Sequence, residues 1–294
     1  MITFCGYSYR SSGHVRGMQL ASHLEGSDFL DVDRLNERDT KNNVIVYVRK
    51  FDHHHAQLSK KRGHIVGYDV LDNPVTDFIR GRTKEDNFAS YVSDSIDFYI
   101  VNNDVMLLEM KKHTDKPVYV IPHHNCNFGR KHKKNRKPQT IGYIGLPEQS
   151  IAEDGLKKIC EKFNLQFINR DVTEHSKLDA AFSEIDIGLV YFDLIEEKKE
   201  LQEKILKYKP GTKLSNFQSY GIPTICLPYE SFKQFGYDKY LSATSLEEVE
   251  FYIEKLMSRQ FYEELSVESV QAGEKLHIEN VVDYYRAIVK DFKR

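Results

Sequence analysis

Short apolar runs separated by longer amphipathic stretches set the rhythm of this chain. Ile2 to Gly6, Val44 to Val48, His64 to Val70, Ile96 to Val101 and Pro117 to Ile121 each read as a buried strand. They are brief, rich in β-branched or aromatic residues, and bounded by turn formers. Between them the apolar positions fall at helical spacing. Met18, Leu20, Ala21 and Leu24 mark a helix after the first strand, a short helix precedes His64, and another covers about 104–112.

The alternation restarts with a strand over Thr140 to Ile144. An amphipathic helix follows over Ser150 to Phe163, with Ile151, Leu156 and Ile159 on its stripe. Strands over Leu165 to Ile168 and Ile185 to Tyr191 flank a short helix over Leu178 to Phe182, and Leu194 to Leu206 reads as a charged helix or flap. Pro210 and Gly211 then punctuate a turn, Thr212 is placed to cap a helix carrying Leu214, Phe217 and Tyr220, and Gly221 stops it before a strand over Thr224 to Leu227. Helices over 246–257, 260–272 and 280–292 complete the pattern.

Strands alternating with helices imply doubly wound parallel sheets. The 294 residues hold two such series without an internal repeat. The expectation is therefore an α/β protein of two Rossmann-like domains, 1–137 and 138–275, each with its own sheet. A final helix within 276–294 has an apolar stripe of Val281, Val282, Tyr285, Ile288 and Phe292, which needs cover and is expected to pack back on the first domain.

Composition removes several alternatives. A net charge of −2 predicts no wholesale attraction to nucleic acid or anionic membrane. Cys5, Cys126, Cys160 and Cys226 are scattered without metal-site spacing, as in a reduced cytoplasmic protein. No apolar run approaches the ~20 residues of a transmembrane helix, and the N-terminus lacks a signal-peptide core. The three adjacent histidines, His53 to His55, do not converge on one ion from a strand or helix, so no metal site is expected there. One charge run stands out: six of the eight residues from Arg130 to Lys137 are Lys or Arg. It reads as a solvated linker, the other reading being an attraction for an anionic acceptor such as DNA or a phosphorylated lipid.

Candidate chemistry gathers at strand ends. Ser12, Gly13, His14 and Arg16 follow the first strand, where α/β proteins place ligands; Asp69 and Asp72 follow the strand at His64 to Val70; His123 and His124 follow the strand ending at Ile121. The helix start at Gly211 and Thr212 is flanked by Lys209 and Lys213. Free amides, the positive end of the helix dipole and two ammonium groups make an anion site suited to a diphosphate.

Several of these segments, in this order, resemble the GT-B-type glycosyltransferases, in particular the retaining, nucleotide-sugar-dependent ones. Ser12 to Arg16 is similar to the family's first-strand loop, and Pro122 to Asn125 to its proline-led segment before the crossover. Ile141 to Gly145 resembles the strand opening its second domain, Asp186 to Val190 a later buried strand, and Lys209 to Pro223 its nucleotide-sugar motif. The resemblance implies two Rossmann-like domains facing a cleft, with the donor bound mainly to the second. It implies transfer of a sugar, hexosyl or pentosyl, from a nucleotide-sugar to an acceptor hydroxyl, without a metal or other required cofactor. Lys209, Lys213 and the Gly211–Thr212 amides would stabilise the diphosphate, Leu214 would line the donor site, and Asn216 or Gln218 would touch the ribose. Ser12, Gly13, His14, Arg16, His123 and His124 would serve the acceptor or phosphate side, with Asp69 or Asp72 orienting the hydroxyl. Tyr208 and Asn216 stand where the family's two motif glutamates would be, and the arginine–lysine pair that grips its donor diphosphate is not evident near 145–155. The acceptors implied are a cell-surface glycan or a lipid-linked sugar. The alternatives are hydroxymethylated bases in DNA, reached through Arg130 to Lys137, and two other activities of the same fold, a sugar-nucleotide epimerase and a non-catalytic binding protein.

Overall fold

A computed structural model describes residues 1–8, 11–33, 42–71, 88–132, 137–145, 153–170, 177–190, 207–236 and 238–292. Asp72 and the stretch 194–206 fall outside the described residues. The chain forms two compact units. One comprises Met1–His123, Lys204–Pro210 and Ile278–Arg294; the other comprises His124–Glu203 and Gly211–His277.

The first unit is built on six parallel strands: β1 (Ile2–Gly6), β2 (Asp28–Asp31), β3 (Val44–Val48), β4 (Ile65–Asp69), β5 (Phe98–Val101) and β6 (Val118–Val120), in the order β2-β1-β3-β4-β5-β6. β1, β3 and β5 are buried throughout, as near-continuous apolar runs are when both faces of a parallel sheet are covered. The patterning missed β2. Its sequence Asp-Phe-Leu-Asp has a carboxylate at each end and only Leu30 fully inside, the make-up of a short edge strand. After β1 comes helix α1, which is α-helical at Ser11–Gly13, π-helical at His14–Gln19 and α-helical again at Leu20–His23. The helix Ile278–Asp291 belongs to this unit. Tyr285 meets Phe4 edge-on at 5.4 Å, Phe292 lies 5.1 Å from Phe98, and the Tyr119 hydroxyl donates to Asp291 at 3.0 Å.

The second unit carries β7 (Thr140–Ile144), β8 (Gln166–Arg170), β9 (Ile187–Val190), β10 (Thr224–Cys226) and β11 (Leu241–Ser242), again parallel, in the order β11-β10-β9-β7-β8. The Asp186 carboxylate fixes the entry to this sheet, accepting from the Gln139 and Thr140 amides at 2.9 and 3.0 Å. The helix Thr212–Ser219 lies against β9 through Phe217 and against the helix Arg259–Glu274 at Gly273, whose bare Cα lets the two backbones touch.

The expected boundary after residue 137 falls earlier, between His123 and His124. The reason is local. Asn125 donates from its backbone to Leu276 O and from its side chain to Gly273 O, at 2.9 and 2.8 Å, and the Asn127 carboxamide donates to Ser219 O at 2.7 Å. Asn125 and Asn127 are thereby tied to second-unit helices before the basic run begins.

In both sheets the first strand is interior, with the second strand on one side and the third on the other. Strand order therefore reverses at β1/β3 and at β7/β9, and the carboxyl ends of those pairs are the natural ligand positions of each unit.

Candidate functional site

The second unit supplies the most developed site. β7 delivers Tyr143 near its carboxyl end and Gly145 just beyond it. The helix Thr212–Ser219 starts on Gly211, which occupies the N-cap position with φ −72° and ψ 24° and no side-chain cap. Thr212 is thus the first helical residue and not the cap that the sequence suggested. The first i→i−4 bond runs from the Ser215 amide to Gly211 O at 2.9 Å, so the amides before Ser215 precede the helical ladder. Lys213, half-buried on that first turn, extends to β7: its Nζ donates to the Tyr143 hydroxyl and lies 4.2 Å from the ring centroid. A Cβ on Gly145 would sit 2.6 Å from Lys213 Nζ. Lys213 therefore brings a cation to the carboxyl end of the strand at which the order reverses. Burial pushes the Tyr143 hydroxyl well above its ordinary value, and that of Tyr229, which follows β10, as well.

Other candidates on this helix have structural work. Leu214 is buried in the core. Asn216 Oδ1 accepts from the Cys126 amide at 2.9 Å, so its acceptor oxygen serves the 124–132 segment. Gln218 is fully enclosed and donates through Nε2 to Lys239 O at 3.0 Å, which removes it from any ribose contact. Lys209 groups with the first unit, whereas Gly211 and Lys213 group with the second.

In the first unit, Gly13 is indispensable to the turn after β1, because a Cβ there would lie 2.0 Å from Tyr7 O. Ser12 and His14 flank it, half-buried. Arg16 and Asp69, expected at a ligand, are instead paired with each other in the interior. Arg16 Nε and Nη2 reach Asp69 Oδ2 at 2.9 and 2.7 Å, while Nη1 donates to Pro122 O and Ile121 O at 2.7 and 3.3 Å. The guanidinium carbon lies 5.8 Å from the Tyr285 ring centroid, and neither residue has exposed surface. Burial pushes the Asp69 carboxyl up, while the Arg16 guanidinium pulls against it. The pair joins the ends of β4 and β6 to the helix Ile278–Asp291 and has no surface to offer a substrate. His123 and His124 are also buried, His124 with its ring 5.9 Å from that of Phe128.

The histidine run splits as its geometry requires. Asp52 caps the helix His53–Lys61 by accepting from the His55 amide at 2.8 Å, the His55 imidazole turns to the Tyr47 hydroxyl, and His53 and His54 face outward. In the basic run, Arg130 pairs with Glu274 through three hydrogen bonds of 3.0–3.2 Å and Lys131 pairs with Asp179, both within the second unit. Residues 133–136 lie outside the described residues.

Tyr143 went unread in the sequence because an aromatic in a buried strand looks like core. Asn125 and Asn127 went unread because their partners lie about 90 to 150 positions away.

No protein-family model matches the chain, and no curated protein does. Solved structures do. A chain of the GtfA/B complex matches at 17% identity over 87% of this chain and 59% of that one, with a TM-score of 0.53. OtsA, a trehalose-6-phosphate synthase, matches at 11% identity over 88% and 74%, with a TM-score of 0.59. The lipopolysaccharide outer core galactosyltransferase WaaB, in its apo form, matches at 10% identity over 99% of both chains, with a TM-score of 0.53. The fold is GT-B. The chain thus spans about three fifths of the GtfA/B chain it resembles and nearly all of WaaB. At these identities the likeness establishes the GT-B architecture, two units each with an all-parallel sheet. No helix among the described residues is long and apolar enough to cross a membrane.

Proposed function

We propose that this GT-B chain is a glycosyltransferase that binds a nucleotide-sugar at the carboxyl edge of the β7–β9 sheet and passes the sugar to an acceptor hydroxyl. The observation that carries this reading is the Lys213 ammonium, held at the strand-order reversal beside the amides that open its helix. Breaking a sugar–phosphate bond leaves growing negative charge on the nucleoside diphosphate, and a fixed cation with convergent N–H groups stabilises that charge as it develops. If configuration is retained, the acceptor hydroxyl must attack on the face that the diphosphate leaves, since no protein nucleophile is assigned to form a covalent intermediate. An acceptor that is a cell-surface glycan or lipid-linked sugar agrees with the activity borne by WaaB's name.

A thermal-shift screen against UDP, GDP, TDP, ADP and CMP tests the donor site. One nucleotide should raise the melting temperature of the wild type, and Lys213→Ala should bind it about 10- to 100-fold more weakly, the effect of a lost charge-assisted contact. No shift with any nucleotide, or an equal shift in the variant, overturns the assignment. Release of free nucleotide from the matching sugar donor then separates transfer from binding alone. Binding without turnover would favour the non-catalytic reading, which draws support from Tyr208 and Asn216 standing at the places of the motif glutamates and from the engagement of Asn216 by Cys126.

A further inference from the structure

The Lys213 ammonium is bounded by two other groups of the second unit. Its Nζ donates to the Tyr143 hydroxyl and lies 4.2 Å from the centroid of that ring. An ammonium only donates, so the tyrosine oxygen is the acceptor and the phenol keeps its own proton. Beside both lies the bare Cα of Gly145, where a Cβ would stand 2.6 Å from Nζ and 2.6 Å from the Tyr143 oxygen. A lysine stem left in water samples many rotamers, and ordering it on binding would cost affinity.

We propose that Tyr143 is a positioning residue for the anion site, holding the Lys213 ammonium at the end of β7 so that the charge is in place before a diphosphate arrives. This rests on the donor-site reading above. The tyrosine suits the task because it is neutral: burial pushes the hydroxyl's pKa well above its ordinary value, so it stays protonated. It orients the ammonium without cancelling its charge, whereas a carboxylate in that place would compete with the incoming phosphates. The ring face adds a cation–π attraction, and the hydroxyl adds direction. Gly145 completes the arrangement, since a side chain there would drive the ammonium out.

Inorganic pyrophosphate is the probe, because it carries the diphosphate charge without base or sugar. Its affinity is measured by calorimetry over a range of salt for the wild type, Lys213→Ala, Tyr143→Phe and Gly145→Ala. Tyr143→Phe keeps the ring and should keep the melting temperature, yet bind pyrophosphate about 5- to 10-fold more weakly, the effect of one lost hydrogen bond to a charged group. Its salt dependence should stay that of the wild type, because the number of charges is unchanged, while Lys213→Ala should flatten it. Gly145→Ala should weaken binding to a similar degree, its methyl group crowding both the Lys213 ammonium and the Tyr143 hydroxyl. Wild-type affinity in Tyr143→Phe, with Lys213→Ala still defective, would overturn the role of Tyr143 and leave the anion site standing. A flattened salt dependence in Tyr143→Phe would also overturn it, since the charge itself would then be lost. No binding by the wild type would overturn both.

Discussion

Arg16 and Asp69 are 53 positions apart and share one buried oxygen. A sequence shows each as a polar residue near a strand end, the usual address of a ligand group, and cannot show that they pair with each other. Removing one partner of such a pair leaves the other's charge uncompensated in the interior, which typically costs about 3–5 kcal/mol. Asp69→Asn should therefore lower the unfolding free energy read from urea denaturation by that order while leaving pyrophosphate affinity unchanged. A stable variant with impaired binding would return Asp69 to the site. His55 provides a second residue-level expectation. Desolvation pulls its imidazole below the ordinary value of 6.5 despite the nearby Asp52, so the unfolded chain takes up this proton more readily than the folded one. The stability it contributes is present above about pH 6.5 and is lost as pH falls through the lowered folded value. Unfolding free energies at about pH 7.5 and about pH 5 should differ less in His55→Gln than in the wild type; an equal difference would assign the pH dependence to other groups.

Among elements, the helix Thr212–Ser219 was the most legible, because Pro210, Gly211 and Gly221 punctuate it and its apolar positions have one spacing. Its fastening was not legible. The Asn127 carboxamide donates to Ser219 O and to Lys131 O, each at 2.7 Å, and accepts from the Lys131 amide at 2.8 Å. It holds the far end of the helix whose near end carries Lys213. Asn127→Ala removes those bonds and leaves carbonyls at the helix end without that partner, so it should cost about 1–3 kcal/mol in thermal melting. A melting temperature equal to the wild type's would show the clamp to be dispensable. The edge strands β2 and β11 escaped the sequence reading for the opposite reason: four and two residues long, they carry no period to detect.

At the scale of the molecule, the two series of alternating strands and helices were plain in the hydrophobic pattern, and with them the α/β architecture. Where the chain passes from one unit to the other was not, because the basic run looks like a linker while Asn125 and Asn127, which decide the matter, look like loop residues. The interleaving of the two units has a consequence in time. The second unit is contiguous but for the passage Lys204–Pro210, whereas the first needs the helix Ile278–Asp291 to cover Phe4 and to bring Tyr285 over Arg16. On a ribosome adding about 5–20 residues per second, that helix emerges roughly ten to thirty seconds after β6. Through that interval the sheet made first stays uncovered at Phe4 and Phe98, and the unit made second has its whole sequence available before the first does. The order of completion inverts the order of synthesis, and the early sheet is the part of the nascent chain most in need of a chaperone.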